Sequence, residues 1–366
     1  MKAYLDNAST TPICEAAKKV ILENSDEFYN PNSSYEAARN VKVKVEKARE
    51  KIAELIWAEP NEIYFTSGGS EANSWVMCNG FSVASNIEHH SIKSDFKINV
   101  DSNGLIDCTK FKTKIHEMKD NDFCIPPSIA SCMFVNNEIG VIEPIKDLTK
   151  IAHDNNMLFH SDAVQAFPHM KIDVKNLGVD MMSCSGHKFG SPKGIGFLYI
   201  KNGISVNPLI NGGGQERGIR GGTTNVLGVL AMAAALEDTI AHMDENNAKV
   251  SCLSKKLKDN LLGVKGVTLN AIDAKTPCIE SILNLRIDDV KSSDLVTMCD
   301  LYGIEISSGS ACNEGTAEPS HVLKAIGLTT EQALSSIRIS LSHLNTEEEI
   351  DYVSKMLPKI ISRLRQ

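Results

Sequence analysis

The sequence predicts an α/β protein in which a mostly parallel sheet has helices on both faces and a smaller α+β domain follows. Two observations lead to this fold class. Short apolar runs alternate with segments of helical spacing, and this pattern changes after about residue 245. Alternation favours a parallel sheet, because the crossover helices cover its faces. We therefore divide the chain into residues 16–245 and 246–366, with residues 1–15 as an N-terminal arm.

Helical spacing marks the first long element. Apolar residues at intervals of three and four predict an amphipathic helix over residues 35–57, namely Ala37, Ala38, Val41, Val45, Ala48, Ile52 and Leu55. The run EIYFTS, residues 62–67, predicts a short strand. The stretch GGSEANSWVMCNG that follows it is typical of a turn leading into a helix.

Strands and helices then alternate as far as residue 200. A helix is expected over residues 145–156, and apolar runs predict strands at 129–135, 157–163, 180–185 and 194–200. A helix-rich segment, residues 223–262, connects the two domains.

The last third of the chain shows short strands separated by helices. Strands are expected at 280–287, 304–307 and 336–342. Thr346 and Glu349 fit a capping box that begins a final helix. Its apolar residues form one stripe, namely Ile350, Val353, Leu357, Ile361 and Leu364.

Composition excludes several classes of protein. The 366 residues carry a formal net charge of −8, which argues against nucleic-acid binding, and no apolar run is long enough for a membrane span. The start, MKAYLDNASTTP, lacks the apolar core of a signal peptide. Ten cysteines are scattered without a C-x-x-C pair, which indicates reduced thiols and no zinc site. We expect a cytoplasmic protein that binds neither nucleic acid, nor membrane, nor metal.

Three stretches carry residues suited to a cofactor. In FTSGGSEAN, residues 65–73, glycines precede a helix start whose N–H groups suit a phosphate, although an ordinary strand-to-helix turn has the same sequence. Asp162 ends a strand and could bind a ring N–H or a metal, or cap a helix. Lys188 follows a strand in SGHKFGSPKGIG, beside His187, while Lys193 follows a turn and is expected to be structural or solvated.

These three pieces together fit pyridoxal phosphate. The glycine turn would hold the phosphate with help from His187, and Asp162 would pair with the pyridine nitrogen and keep it protonated. Lys188 would attach the cofactor covalently.

Four other features allow two readings each. His89, in SNIEHHSI, could stack on a planar cofactor and move protons, or be structural. Arg338 alternates with apolar residues, so it either meets a buried anion or lies at a solvated edge. Cys312, in SSGSACNEG, has the polar setting of a reactive thiol, or is incidental. The glycine-rich loop of residues 211–225 could reach a phosphate on its own or a neighbouring subunit, or simply be flexible.

The order of these motifs resembles that of cysteine desulfurases of the NifS/IscS type, in the class V aminotransferase branch of the fold-type I pyridoxal-phosphate enzymes. The resemblance implies a large cofactor-binding domain with a seven-stranded-type sheet, a small domain that carries a catalytic cysteine loop, and an arm at the rim of the site. It covers nearly the whole chain, through YLDNASTTP, TSGGSEAN, EHHSI, VNNEIGV, HSDAVQ, SGHKFGSPKGIG, GGGQERGIRGGT, SSGSAC, EPSHVLKAIGL and SIRISL.

The resemblance assigns roles to the matching residues. It implies Lys188, Cys312 and His89 as catalytic residues, of which Cys312 takes the sulfur. It implies that Arg338 and Asn137 contact the substrate. It also implies a homodimer, in which a threonine of one subunit reaches the phosphate of its neighbour. The implied cofactor-binding set is Gly69, Ser70, Asn137, Asp162, Gln165, Ser185, Gly186, His187, Lys188 and Thr223.

The implied function is removal of sulfur from L-cysteine, which leaves L-alanine and a persulfide on Cys312. The sulfur would pass to an acceptor protein in iron–sulfur cluster assembly or a thiolation pathway. A selenocysteine lyase or another C–S lyase on the same scaffold is the alternative, and a non-catalytic assembly partner is a third possibility that the intact residue set disfavours. The chain departs from the family pattern at Gly222, where a serine commonly precedes the threonine, at Asn313, and in a shorter segment over residues 74–104.

Overall fold

The computed structural model describes residues 1–120, 128–271, 273, 275–308 and 318–366. The strands formed by these residues are β1 (Ala3–Tyr4), β2 (Ile63–Thr66), β3 (Ser82–Ser85), β4 (Phe96–Ile98), β5 (Ile129–Ser131), β6 (Leu158–Asp162), β7 (Met181–Ser185), β8 (Gly196–Ile200), β9 (Val267–Leu269), β10 (Ile282–Ile287), β11 (Ile304–Glu305) and β12 (Ser336–Ser340). The helices are α1 (Glu15–Glu23), α2 (Glu36–Leu55), α3 (Gly69–Met77), α4 (Cys108–Asp120), α5 (Ile145–Asp154), α6 (Val174–Leu177), α7 (Val226–Ala241), α8 (Met243–Leu262), α9 (Ser292–Leu301), α10 (His321–Ala325), α11 (Thr330–Leu334) and α12 (Glu347–Leu364).

The largest sheet has the strand order β2-β8-β7-β6-β5-β3-β4, which makes seven strands among the described residues. The pairs from β7 through β6, β5 and β3 to β4 are parallel. Strand β8 is antiparallel to both β7 and β2, so β2 runs in the same direction as the parallel strands. The predicted α/β fold with a mostly parallel sheet is confirmed.

A second group of strands forms a small antiparallel sheet in the order β12-β10-β9. Beside it, β1 pairs in parallel with β11, so the start of the chain lies against its last third. Ala3 and Leu5 of the N-terminal arm accordingly pack into the apolar cluster of the small sheet, with α8, α9 and α12. Ala8 and Ala17 pack instead into the larger cluster around the seven-stranded sheet.

The predicted amphipathic helix is α2, and its apolar face is buried as the spacing requires. The predicted capping box also forms, since Glu349 donates its backbone N–H to the Thr346 hydroxyl and Thr346 donates its own to the Glu349 carboxylate. Four members of the predicted stripe on α12 are buried, namely Ile350, Val353, Leu357 and Ile361.

One strand prediction needs correction, and several short strands were missed. The strand expected over residues 129–135 forms ladder pairs only as β5, because the chain turns away after Ser131 although Cys132 still donates to the carbonyl of His160. The sequence pattern also missed β3 and β4, which are four and three residues long. Strand β3 is buried throughout with serine at both ends, so it shows neither alternation nor a long apolar run.

Helix α7 is apolar on most of its surface because it packs against α1 and α2 inside the larger cluster. Within the described ranges, no single helix has the length and apolar composition to span a membrane. The pair α7 and α8 passes such a test only when taken together, and it is bent by 68°. The buried position of α7 accounts for its apolar composition.

Candidate functional site

Five strands of the large sheet end at the same edge, and each delivers a predicted site residue there. Gly69 and Ser70 follow β2, His89 follows β3, and Asn137 follows β5. Asp162 is the last residue of β6, and Lys188 lies three residues after β7. Ligands of open α/β sheets bind outside the carboxyl ends of the strands, because the loops that connect them diverge there.

A cavity of about 490 Å³ lies at this edge. Ten of the predicted site residues line it, namely Gly69, Ser70, His89, Asn137, Asp162, Gln165, Ser185, His187, Lys188 and Arg338. Lys193 lines it too, at an exposed position. The topology therefore brings together residues that are spread over most of the chain.

Three predicted residues lie elsewhere. Gly186 is behind the cavity wall, where an added Cβ would come within 2.7 Å of the Ser191 side chain. Thr223 lines a separate cavity of about 170 Å³ together with Ser67 and Gly194. Cys312 is outside the described residues.

The glycine turn before α3 forms a cradle without side chains. Gly68 has a φ of 151°, which favours glycine, and a Cβ on Gly69 would approach the Cγ2 of Val164 within 2.6 Å. The first N–H groups of α3 have no partner within the helix, so they can bind an anion. Ser185 and His187 line the cavity on the other side of the turn. The turn is thus suited to a phosphate group.

His187 is neutral at pH 7 in this environment. Burial, together with the positive charges of Lys188 and Lys193, lowers the pKa of His187 to about 4. Its Nδ1 lies 3.1 Å from the Thr10 hydroxyl, so the arm also fixes the orientation of the ring. A neutral imidazole can donate one N–H to an anion in the glycine turn.

Asp162 is buried at the end of β6, with two hydrogen bonds to its carboxylate. The Asn73 amide donates to Oδ2 at 2.6 Å, and the backbone N–H of Val164 donates to Oδ1 at 2.9 Å. Gln165 follows in the same turn, and its Oε1 is a buried polar atom without a hydrogen-bond partner in the described part of the chain. A buried orphan of this kind indicates a ligand group that is still to be bound.

Lys188 extends into the cavity towards the N-terminal arm. Its Nζ donates to the carbonyls of Ala8 at 2.6 Å and Ser9 at 2.7 Å. Two backbone oxygens of the arm therefore contact the amine.

Arg338 enters the cavity from β12 of the small sheet and is 1% exposed. It donates to the carbonyl of Asn137 at 2.9 Å, to the carboxylate of Asp6 at 2.8 Å and to the hydroxyl of Ser9 at 2.8 Å. Its Nε is buried and without a partner among the described residues. The inward orientation rules out a solvated edge position, and the Nε–H can donate to an anionic ligand.

Several cavity residues were not predicted. Asp6, Asn73 and Glu88 lie inside the quoted motifs YLDNASTTP, TSGGSEAN and EHHSI, so membership of a motif was the available signal. Burial raises the pKa of Glu88 to about 8, and the carboxyl accepts from the backbone N–H of Met133. Glu88 is therefore mainly protonated at pH 7.

One ion pair ties the glycine-rich loop to the phosphate turn, and a second ties it to α2. Arg220 binds the Glu71 carboxylate with two contacts at 2.8 and 2.9 Å, and Glu71 accepts from the backbone N–H of Ser67. Arg49 of α2 pairs with Glu216 in a buried contact of 2.7 Å. Gly222 has a φ of 107°, so the departure from serine has a conformational reason.

The residues present fit pyridoxal phosphate. The cavity offers a phosphate cradle, a buried carboxylate for a ring nitrogen, a lysine amine and an orphaned amide oxygen on one wall. No cluster of three or more His, Cys, Asp or Glu side chains arranged for a metal ion was found within the part of the chain that the structure describes.

Comparisons with known proteins agree over nearly the full length. The family model for class-V aminotransferases matches residues 3–353. The chain is 38% identical over 384 residues to a cysteine desulfurase IscS of Methanosarcina thermophila, covering 99% of this chain and 92% of that protein. A solved NifS-like protein from Rickettsia africae superimposes with a TM-score of 0.90 at 31% identity, covering 99% of this chain and 100% of the other. SspA in complex with cysteine superimposes with a TM-score of 0.78 at 29% identity, covering 94% of this chain and 99% of the other.

Proposed function

The chain belongs to the class-V aminotransferase family, and on that premise we propose that it is a pyridoxal-phosphate-dependent cysteine desulfurase. One observation carries the proposal: the Lys188 amine, the Asp162 carboxylate and the Arg338 guanidinium line a single cavity at the carboxyl edge of the sheet. The substrate is L-cysteine, and the products are L-alanine and sulfur bound to the enzyme as a persulfide.

The predicted cofactor-binding residues that line the cavity would each contact a different part of the cofactor. Lys188 would attach the cofactor, Asp162 would bind its ring nitrogen, and His89 would stack on the ring. The phosphate would lie against Gly69, Ser70, Ser185 and His187, while Asn137 and Gln165 would reach the phenolic oxygen. The bound cofactor supplies an electron sink that stabilises negative charge on the substrate Cα.

The substrate is oriented by the arginine at the base of the small sheet. The Nε–H of Arg338 would donate to a substrate carboxylate oxygen, and the Asn137 carbonyl, which accepts from the same guanidinium, lies beside it. Once it is no longer bonded to the cofactor, Lys188 Nζ would act as the base that takes the proton from the substrate Cα. His89 would move protons on the other face of the ring.

Sulfur transfer requires a thiolate as the nucleophile. We propose that this thiolate is Cys312, which lies outside the described residues. Its Sγ attacks the substrate Sγ, an S–S bond forms, and the Cβ–Sγ bond of the substrate breaks. The electron pair of that bond stays with the substrate carbon, which takes up a proton to become alanine. Cys312 is left as a persulfide whose outer sulfur passes to an acceptor protein, as in iron–sulfur cluster assembly or thiolation.

We also propose that the enzyme is a homodimer in which each active site is shared between the subunits. Within each subunit, we propose that the two domains divide near residue 245. Thr223 is exposed and outside its own main cavity, which supports a contact with the phosphate of the neighbouring subunit. The separate apolar clusters of the two sheets support the division, with residues 1–15 divided between them. The eight described cysteines are all free, which supports a reducing compartment such as the cytoplasm.

The proposal is tested by product analysis with purified protein and cysteine. We expect the wild type to be coloured by its cofactor, to release alanine and to gain one sulfur atom on the Cys312 peptide by mass spectrometry. Cys312→Ala should keep the colour and lose the persulfide, whereas Lys188→Ala should lose the covalently bound cofactor.

Other outcomes would favour the remaining candidates. Pyruvate and ammonia in place of alanine would indicate a simple C–S lyase, and turnover restricted to selenocysteine would indicate a selenocysteine lyase. Protein that binds no pyridoxal phosphate would contradict the enzymatic function altogether.

A further inference from the structure

Asp162 and His89 are connected by a chain of hydrogen bonds through two residues that have no assigned role, Asn73 and Ser91. The Asn73 amide nitrogen donates to Asp162 Oδ2 at 2.6 Å and to Ser91 Oγ at 2.9 Å. Ser91 Oγ lies 2.7 Å from His89 Nδ1, and the backbone N–H of Ser91 donates to the same nitrogen at 3.2 Å. The chain therefore runs from β6 through α3 to the loop after β3.

The direction of each hydrogen bond follows from the groups that it joins. Asp162 as a carboxylate can only accept, so the nitrogen and not the oxygen of the Asn73 amide must face it. The second hydrogen of that amide points to Ser91 Oγ, which leaves the Ser91 hydroxyl hydrogen to be donated elsewhere. A backbone N–H also can only donate, so the lone pair of His89 Nδ1 must face Ser91.

The consequence is a fixed tautomer. Both donors of Ser91 converge on His89 Nδ1, so neutral His89 carries its hydrogen on Nε2. The opposite tautomer would place an N–H against two other donors. Because Asn73 is 1% exposed within α3, the support of this arrangement does not depend on solvent.

We propose that Asn73 and Ser91 are positioning residues, which hold His89 as the Nε2–H tautomer and link its orientation to the Asp162 carboxylate. The importance of this tautomer for turnover rests on the proposed function, in which His89 moves protons. The hydrogen-bond arrangement itself does not rest on that function. A ring with a fixed proton offers a defined donor at Nε2, directed in the plane of the imidazole.

The tautomer is measured directly by ¹⁵N NMR of the holoenzyme labelled at histidine, with His89 assigned by its loss in His89→Gln. We expect the Nε2–H pattern in the wild type. Ser91→Ala removes one of the two donors to Nδ1 and should lower the tautomer ratio about fivefold, in line with the loss of one neutral hydrogen bond. Ser91→Thr restores a hydroxyl at the same position and should restore the ratio.

Two further variants make the result specific. Asn73→Ala leaves the Ser91 hydroxyl without its donor and should broaden or shift the His89 signals, whereas Ser74→Ala changes a neighbouring serine of α3 and should leave them unchanged. A wild-type Nδ1–H pattern, or a ratio unaltered in Ser91→Ala, would overturn the proposal. The NMR measurement does not require turnover, so it tests the tautomer even if the enzyme forms no persulfide. A missing persulfide would contradict the proposed function and would leave the tautomer proposal standing.

Discussion

Glu143 is a buried carboxyl that lacks a positive partner in the described part of the chain. One of its oxygens accepts from the backbone N–H of Ile106 at 3.0 Å, and the other is an orphan. Burial, with a smaller contribution from the charge of Glu88, raises the pKa of Glu143 to about 8. The residue therefore keeps its proton at pH 7 and acts as a neutral link between two loops.

This raised pKa makes the stability fall as the pH rises. Between the ordinary glutamate value of 4.5 and about 8, the unfolded chain releases the proton while the folded chain retains it. The free energy of unfolding then decreases with pH, by at most about 1.4 kcal/mol per pH unit for one such group.

We predict that Glu143→Gln reduces this pH dependence, because the amide keeps the shape and has no proton to lose. Urea unfolding at pH 5.5 and pH 7.5 should show a smaller loss of stability in the variant than in the wild type. Glu50→Gln, at an exposed position of α2, is the matched control and should behave as the wild type does. An unchanged pH dependence in Glu143→Gln would show that Glu143 ionises normally.

The first residue of helix α12 is set by a local sequence signal, the capping box. The helix begins after Thr346, where the capping box satisfies two backbone N–H groups that have no helical partner. Three glutamates occupy its first turn, where the helix dipole favours negative charge. The buried stripe then packs α12 against α8 and α9.

We predict that Thr346→Ala lowers the free energy of unfolding by about 1 kcal/mol, because the hydroxyl acceptor of the cap is lost. Thermal or urea unfolding measures the change. Thr346→Ser keeps the hydroxyl acceptor, so its free energy of unfolding should fall much less than that of the alanine variant. Equal losses in the two variants would mean that the methyl group, and not the cap, is the stabilising part.

The short strands show why the prediction of elements was incomplete. Strands β2, β6 and β8 gave apolar runs long enough to recognise, whereas β3 and β4 owe their pairing to neighbours on the sheet. A four-residue strand has too few positions for a pattern to emerge. Its existence depends on the partner strands that bury it.

For the whole molecule, the site depends on three distant parts of the chain meeting at Arg338. The arginine lies on β12 of the small sheet, Asn137 on a loop of the large sheet, and Asp6 in the arm, 332 residues away. The guanidinium therefore holds the two sheets and the arm in one arrangement around the cavity. In the proposed function, the same group would also bind the substrate carboxylate.

We predict that Arg338→Lys raises the KM for cysteine about tenfold or more with a smaller change in kcat, since lysine keeps the charge but loses the planar fork. Steady-state alanine formation measures both constants. Asp6→Asn removes the ion pair and leaves the guanidinium in place, so it should affect the KM much less. Similar increases in both variants would show that Arg338 acts only by anchoring the arm.

Much of the site was predictable because its residues lie in motifs along the chain. The motifs predict Lys188, Asp162, His89 and Arg338 as site residues, and all four line one cavity. The family resemblance and the cysteine desulfurase function are confirmed by the comparisons. The individual role of each residue stays a prediction until the variants are measured.

The sequence by itself determined the fold class, the longer elements, the capping box of α12 and ten of the residues that line the cavity, because periodicity, capping and glycine turns act over a few neighbouring residues. Only the tertiary structure decided which strand ends share an edge, that Asn73 and Ser91 connect Asp162 to His89, and that Asp6 meets Arg338. Hydrogen bonds of that kind join side chains from separate elements. Their distances and directions are set by how the sheets and helices pack, which no local pattern records.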